Sequence, residues 1–270
     1  MRMRKRPNLE PRMEKCAELI IDRPEELKGR WKAAGSEIMN REAEKLYLEL
    51  GCGKGRFTVD TAASMPEVFY VAVEKVPDAM IIAMERAMER GLDNLRFING
   101  DAAGLCEMFE EGEADRIYIN FCDPWPKSRD AKFRLTYPGF LRRYAAILPF
   151  GGQIHFKTDN LPLFQWSIEQ LEREGWQLSE ITNDLHSQGG EIVMTDYEAK
   201  FSAEGIKINR LVAEKTEKTL DLSAPPLERM RFAALRDARG YAKVSEIRRQ
   251  QNEIYFLERE RPESRIQKGL

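Results

Sequence analysis

From Lys45 to Asp159 the chain switches repeatedly between two hydrophobic periods, and this limits the topologies open to it. Five short apolar runs, KLYLEL (45–50), VFYVAVE (68–74), NLRFING (94–100), ADRIYINFCD (114–123) and GQIHFKTD (152–159), read as strands. RFTVDTAAS (56–64), PDAMIIAMERAMERG (77–91) and PGFLRRYAAIL (138–148) lie between them, and LPLFQWSIEQLEREG (161–175) follows the fifth. These read as helices, the second with proline in its first turn and glycine just past its end. Strands that alternate with helices pair in parallel through right-handed crossovers, which predicts an α/β doubly wound sheet. WQLSEIT (176–182) and IKINRLVAEK (206–215) show no clear helix between them. They predict an antiparallel hairpin at the edge of a mostly parallel, seven-stranded sheet.

The pattern divides the chain into a charged leader (1–44), an α/β domain (45–217) and an extension (218–270) with two helical stretches. The extension carries 12 Lys+Arg against 8 Asp+Glu, whereas the remainder is net acidic. The first 15 residues hold six basic and two acidic side chains. Basic ends allow a polyanionic partner without demanding one. A helical brace or a dimer contact is an equal reading of the extension, and monomer and homodimer both stay open.

No apolar run approaches the ~20 residues that span a bilayer. MRMRKR at the start has no apolar segment behind it, so no signal peptide is expected. The four cysteines lack paired spacing, which suits a reducing, cytoplasmic setting. With two histidines in the chain, no metal site is expected.

LELGCGKG places Gly51, Gly53 and Gly55 directly behind the first strand. In a doubly wound sheet ligands bind beyond the carboxyl ends of the strands. Glycine there lets a ligand lie against the backbone. The spacing is G-x-G-x-G with Arg56 where a dinucleotide fingerprint has its third glycine, and Glu49 precedes the loop. An acid there repels a pyrophosphate and attracts an ammonium or sulfonium. Both features argue against a nicotinamide oxidoreductase. Glu74 ends the second strand and suits the two hydroxyls of a ribose. Asp101 follows the third strand and suits an adenine amino group, with Ala102 leaving room for the ring. Any one of these acids alone is most simply an exposed strand-end charge. Three at successive strand ends behind a glycine loop describe a pocket for a cationic, ribose-bearing adenine ligand, which S-adenosyl-L-methionine (SAM) fits.

In NFCDPWPKSRDAKFRL (120–135), Asp123 sits at the end of the fourth strand, where a transferred methyl group is expected. Pro124 and Pro126 stiffen the turn. Trp125 is either a core aromatic or a stacking face for a nucleobase. Lys127, Arg129, Lys132 and Arg134 are either a solvated loop or phosphate contacts.

Seven segments in order, LELGCGKG (48–55), VEK (73–75), NGDA (99–102), DPWPK (123–127), RLTYPGF (134–140), KTDN (157–160) and TDYEAKF (195–201), make the sequence resemble the bacterial tRNA (guanine-N7)-methyltransferases over roughly residues 45–215. The resemblance implies a Rossmann-like class I methyltransferase fold. It also implies transfer of a methyl group from SAM to the variable-loop guanosine at tRNA position 46. Onto this sequence it carries Glu49, Gly51, Gly53, Glu74, Asp101, Ala102 and Asp123 as the cofactor side, with Asp123 also catalytic. It carries Lys127, Asp159, Thr195, Asp196, Tyr197 and Glu198 as the substrate side, and the Arg129–Lys132–Arg134 stretch as an RNA-contacting loop. Cys122 stands where proline is expected, and residues 218–270 have no counterpart in short family members. One alternative is an amino-methyltransferase of the same fold. The other is an RNA-binding protein that has lost catalysis, against which the complete set of acids argues.

Overall fold

The computed structural model describes residues 7–189 and 192–219. The helices expected within 220–270 and the basic start at 1–6 lie outside the described residues. In chain order the helices and strands are α1 (Leu9–Lys15), α2 (Trp31–Met39), β1 (Lys45–Leu50), α3 (Arg56–Ser64), β2 (Val68–Glu74), α4 (Pro77–Glu89), β3 (Leu95–Asn99), α5 (Leu105–Met108), β4 (Arg116–Asn120), α6 (Pro138–Ile147), β5 (Gln153–Thr158), α7 (Leu161–Arg173), β6 (Gln177–Thr182), α8 (Asp196–Ala203) and β7 (Asn209–Glu214).

The sheet runs β3-β2-β1-β4-β5-β7-β6. Its first five strands are parallel, and β7 is antiparallel to both β5 and β6. This is the seven-stranded, mostly parallel α/β architecture read from the sequence. β2 is an apolar run buried along its whole length, as a central parallel strand requires. In β1 the alternation sorts the two faces: Leu46, Leu48 and Leu50 enter one core cluster and Tyr47 the other.

β1 pairs with β2 on one side and β4 on the other, so the winding reverses between β1 and β4. Leu50 lies opposite Ile119 there, which brings the glycine loop after β1 beside the segment after β4. A doubly wound sheet opens its ligand crevice at this point. The glycine loop also sets helix packing. Gly55 has φ 75°, and a Cβ on it would fall 2.3 Å from the Ala83 Cβ, so α3 meets α4 closely.

Three features depart from the sequence reading. β6 and β7 pair antiparallel, but α8 lies between them in the chain, and β7 rather than β6 contacts β5. This helix starts from a capping box, Thr195 with Glu198, rather than from an apolar stripe. The fourth strand ends at Asn120, because Phe121 turns into the left-handed region at φ 52°. Finally, the described residues before 45 pack into the domain instead of forming a separate leader. Trp31 is fully buried, stacks on Phe109 at 4.8 Å and donates its indole N–H to the Met108 carbonyl at 2.8 Å. Ile20 bridges to Phe97 of β3.

Candidate active site

A cleft of about 230 Å3 opens at the switch point. Leu50 and Gly51 floor one side, Glu74 and Asp101 with Ala102 form the next wall, and Asn120 to Asp123, Trp125 and Phe133 close the other. Gly51 has φ 79°, and a Cβ built on it would meet nothing within 4 Å, so its backbone faces open space.

The acids grouped from the sequence take different positions. Glu74 lines the cleft, and each oxygen accepts one backbone N–H, from Gly53 and from Val76, both at 2.9 Å. Each oxygen keeps a further lone pair, and the carboxylate rigidly ties β2 to the glycine loop. Asp101 lines the cleft and caps the next turn by accepting the Ala103 N–H at 2.9 Å. Asp123 stands exposed at the mouth, three residues beyond the end of β4.

Glu49 does not line the cleft. It is buried on the opposite face of β1 from Leu50 and accepts from Thr58 at 2.6 Å, Tyr70 at 3.2 Å and Asn120 at 3.1 Å. Burial raises its pKa, and the three hydrogen bonds oppose that shift. Its place is beneath the site, where it holds Asn120.

Asn120 escaped the sequence reading and is the most informative side chain in the cleft. It is 7% exposed, and its Nδ2 donates to Glu49 while its Oδ1 is buried without a partner. The carboxylate fixes this orientation, since the flipped amide would set two acceptors face to face. An orphaned buried acceptor is costly unless a donor arrives. A cleft with an acceptor-only oxygen at its floor, a carboxylate at its wall and a glycine backbone between them fits a cationic amino-acid ligand joined to a ribose.

The turn after β4 is locked from behind. Arg134 does not extend toward solvent as a phosphate contact would. Its Nε donates to the Pro124 carbonyl at 2.9 Å, its Nη2 to the Trp125 carbonyl at 2.9 Å, and it lies 4.4 Å over Trp166. Trp125 is held at φ 42°, a costly conformation for an aromatic residue. It is half-buried at the cleft wall and packs on Phe133 at 5.2 Å, so it is not a core aromatic. Lys127, Arg129 and Lys132 are exposed. Burial pushes the Cys122 thiol up to about 12, which removes it as a nucleophile at neutral pH.

The predicted substrate side divides. Asp159 and Tyr197 approach each other, with the phenol 3.5 Å from Asp159 Oδ2, and Tyr197 packs on Phe121 of the cleft wall at 5.3 Å. Thr195 and Glu198 instead cap α8. Glu198 is fully buried and pairs with Lys157 of β5 at 3.0 Å. Asp196 turns away to Arg86 at 2.6 Å, and that guanidinium also donates to the Lys54 carbonyl of the glycine loop. Capping and ion pairing thus occupy these three side chains, because the segment is a helix start rather than a loop.

A family model described as "Putative methyltransferase" matches residues 43–211. The chain belongs to that methyltransferase family. The match runs from just before β1 into the first half of β7 and includes the glycine loop and the turn carrying Asp123. Among solved structures, the 16S rRNA methyltransferase KamB is 15% identical with a TM-score of 0.50, covering 67% of this chain and 91% of its own. An antibiotic related methyltransferase is 18% identical with a TM-score of 0.49, covering 68% and 93%. TrmN from Thermus thermophilus is 24% identical with a TM-score of 0.46, covering 68% of this chain and 48% of its own. The methyltransferase shares the fold of KamB, a mostly parallel seven-stranded α/β sheet. No helix among its described residues is long and apolar enough to cross a membrane.

Proposed function

We propose that this methyltransferase uses SAM to methylate N7 of a guanosine in the variable loop of tRNA, at position 46. The observation that carries the reading is the continuity of the cleft. The Asn120–Glu74–Asp101 half, built for a cationic nucleoside, runs directly into the Asp123–Trp125 half, with Asp159 and Tyr197 beyond Phe121. The seven motifs shared with guanine-N7 methyltransferases support the choice of atom.

SAM, when bound, supplies an electrophilic methyl group on a sulfonium. Asn120 Oδ1 would accept from its ammonium, and Glu74 and Asp101 would take the ribose hydroxyls and the adenine amino group. Guanine N7 has a free lone pair and carries no proton, so the attacked atom needs no general base. Holding the base in line is then the main demand, and orientation of this kind supplies up to ~7–11 kcal/mol. Asp123 and Asp159 would accept from the guanine N1–H and amino group and stabilise the positive charge the purine gains.

Incubation with labelled SAM and unmodified tRNA, followed by nucleoside analysis and borohydride/aniline cleavage, tests this. The expected product is 7-methylguanosine; label on an exocyclic nitrogen would favour the amino-methyltransferase alternative. Asp123→Ala and Asp159→Ala are each expected to slow single-turnover methylation by about 10²–10³-fold. Near-normal rates in both would refute the role given to the acids.

A further inference from the structure

Among the described residues five large apolar side chains are exposed, namely Met88, Phe133, Phe150, Ile181 and Tyr197. Two of them belong to the active-site mouth. Phe133 lines the cleft at 49% exposure, and Tyr197, at 44%, packs on Phe121 of its wall. Exposed aromatics beside a cleft mark a place where another flat molecule lies.

The two aromatic positions differ chemically. Beside Tyr197 stands the Asp159 carboxylate, 3.5 Å from the phenol, which can read the polar edge of a base. Beside the Trp125–Phe133 pair stand cations. Lys132 Nζ lies 5.2 Å from the Phe133 ring, and Lys127 and Arg129 are exposed, the latter 3.8 Å from Asp130. Rings flanked by cations suit a base of any identity and the phosphates beside it. The backbone supports this arrangement, since Arg134 grips the carbonyls on both sides of the Pro124–Trp125 bond while Trp125 keeps its left-handed φ.

We propose that Trp125 and Phe133 form a second nucleobase subsite. It stacks the nucleotide adjoining the target in the RNA strand, while the target base lies on the Phe121–Tyr197 side of Asp123. This rests on the RNA-methylation reading above. It adds that the enzyme holds two splayed bases, one read by its edge and one held only by its face.

The test is a cycle between protein and RNA. The modified nucleotide is mapped first, and RNAs are then made with an abasic site at each neighbour. Phe133→Ala is expected to raise the RNA KM roughly 5- to 150-fold, the range of one lost base–aromatic stack. Phe133→Tyr should restore it, and SAM affinity should stay within about threefold in both, since a stacking subsite for RNA touches no cofactor group. One abasic neighbour should weaken the wild type by a similar factor and leave Phe133→Ala unaffected. Effects that multiply independently would overturn the proposal. So would a loss of SAM affinity with an unchanged RNA KM, which would give the ring to the cofactor. A wild type that methylates no RNA would instead strike the functional reading. In that case single abasic sites scanned across the variable loop, with binding read without turnover for wild type and Phe133→Ala, still decide the subsite.

Discussion

Glu198→Gln separates two roles for one residue, since resemblance puts Glu198 with the substrate and the structure buries it. Its side chain is 0% exposed, and that of Lys157 is 8% exposed at 3.0 Å. Lys157 Nζ also donates to the Val193 carbonyl at 3.0 Å, and burial pushes its pKa down against the pull of Glu198. An amide at 198 keeps a hydrogen bond but removes the counter-charge nearest the buried ammonium. Removing one partner of a buried pair costs about 3–5 kcal/mol. In a domain of this size each kcal/mol moves Tm by about 2–4 °C, so the expected loss is roughly 6–20 °C by calorimetry.

A double variant, Lys157→Met with Glu198→Leu, should recover part of this loss, because an apolar pair of similar volume needs no desolvation. Recovery should be incomplete, as Glu198 also accepts the Thr195 N–H in the capping box. Below its Tm, Glu198→Gln should bind RNA within a few-fold of wild type. A variant that melts within about 2 °C of wild type but loses tenfold in RNA affinity would show that Glu198 meets the substrate, and the argument from burial would fail.

Asn120→Ala tests the cleft floor. Losing an acceptor for a charged donor should weaken SAM by about 10- to 150-fold in a calorimetric titration, and an unchanged Kd would remove Asn120 from the site. His155 offers a pH test. Burial and the nearby Arg116, Arg210 and Lys157 push its pKa from 6.5 to about 3. The unfolded chain therefore binds a proton below about pH 6.5 that the native state refuses until about pH 3, so stability falls as pH falls across that window. The slope from this group is at most ~1.4 kcal/mol per pH unit, less for a half-buried ring screened by water. His155→Gln should flatten urea-derived stability between pH 6 and 4, and parallel curves for the two proteins would contradict the assignment.

The architecture was legible because period and order sufficed. Parallel strands need crossover helices, and the apolar runs from Lys45 to Asp159 leave no other arrangement of comparable economy. Reading failed where a helix lacked an apolar stripe. Thr195-Asp-Tyr-Glu198 is a T-x-x-E capping box, a signal written in the sequence but overshadowed by reading the same four residues as a substrate motif. The N-terminal residues join the core through short pieces that a charged composition masks: α2 turns Trp31, Ala34, Gly35 and Met39 inward, and Cys16 and Leu19 enter the second cluster.

The acids show a subtler limit. Position at a strand end tells that a side chain is near the crevice, but strand parity and the covering helix decide whether it faces it. Glu49 shares its face with Tyr47, and Thr58 of α3 closes over that face, so the acid's partners are Thr58, Tyr70 and Asn120. Its alternation with Leu48 and Leu50 was visible beforehand; that α3 would cover it was not. The same reasoning separates the cations of the Asp-Pro-Trp-Pro turn. Lys127, Arg129 and Lys132 remain at the surface, while Arg134, identical in charge, is drawn inward by the carbonyls that a left-handed Trp125 presents to it. A row of like charges thus divides into three exposed cations, the phosphate contacts of the proposed function, and one loop anchor, and only the backbone conformation of the neighbouring turn tells them apart.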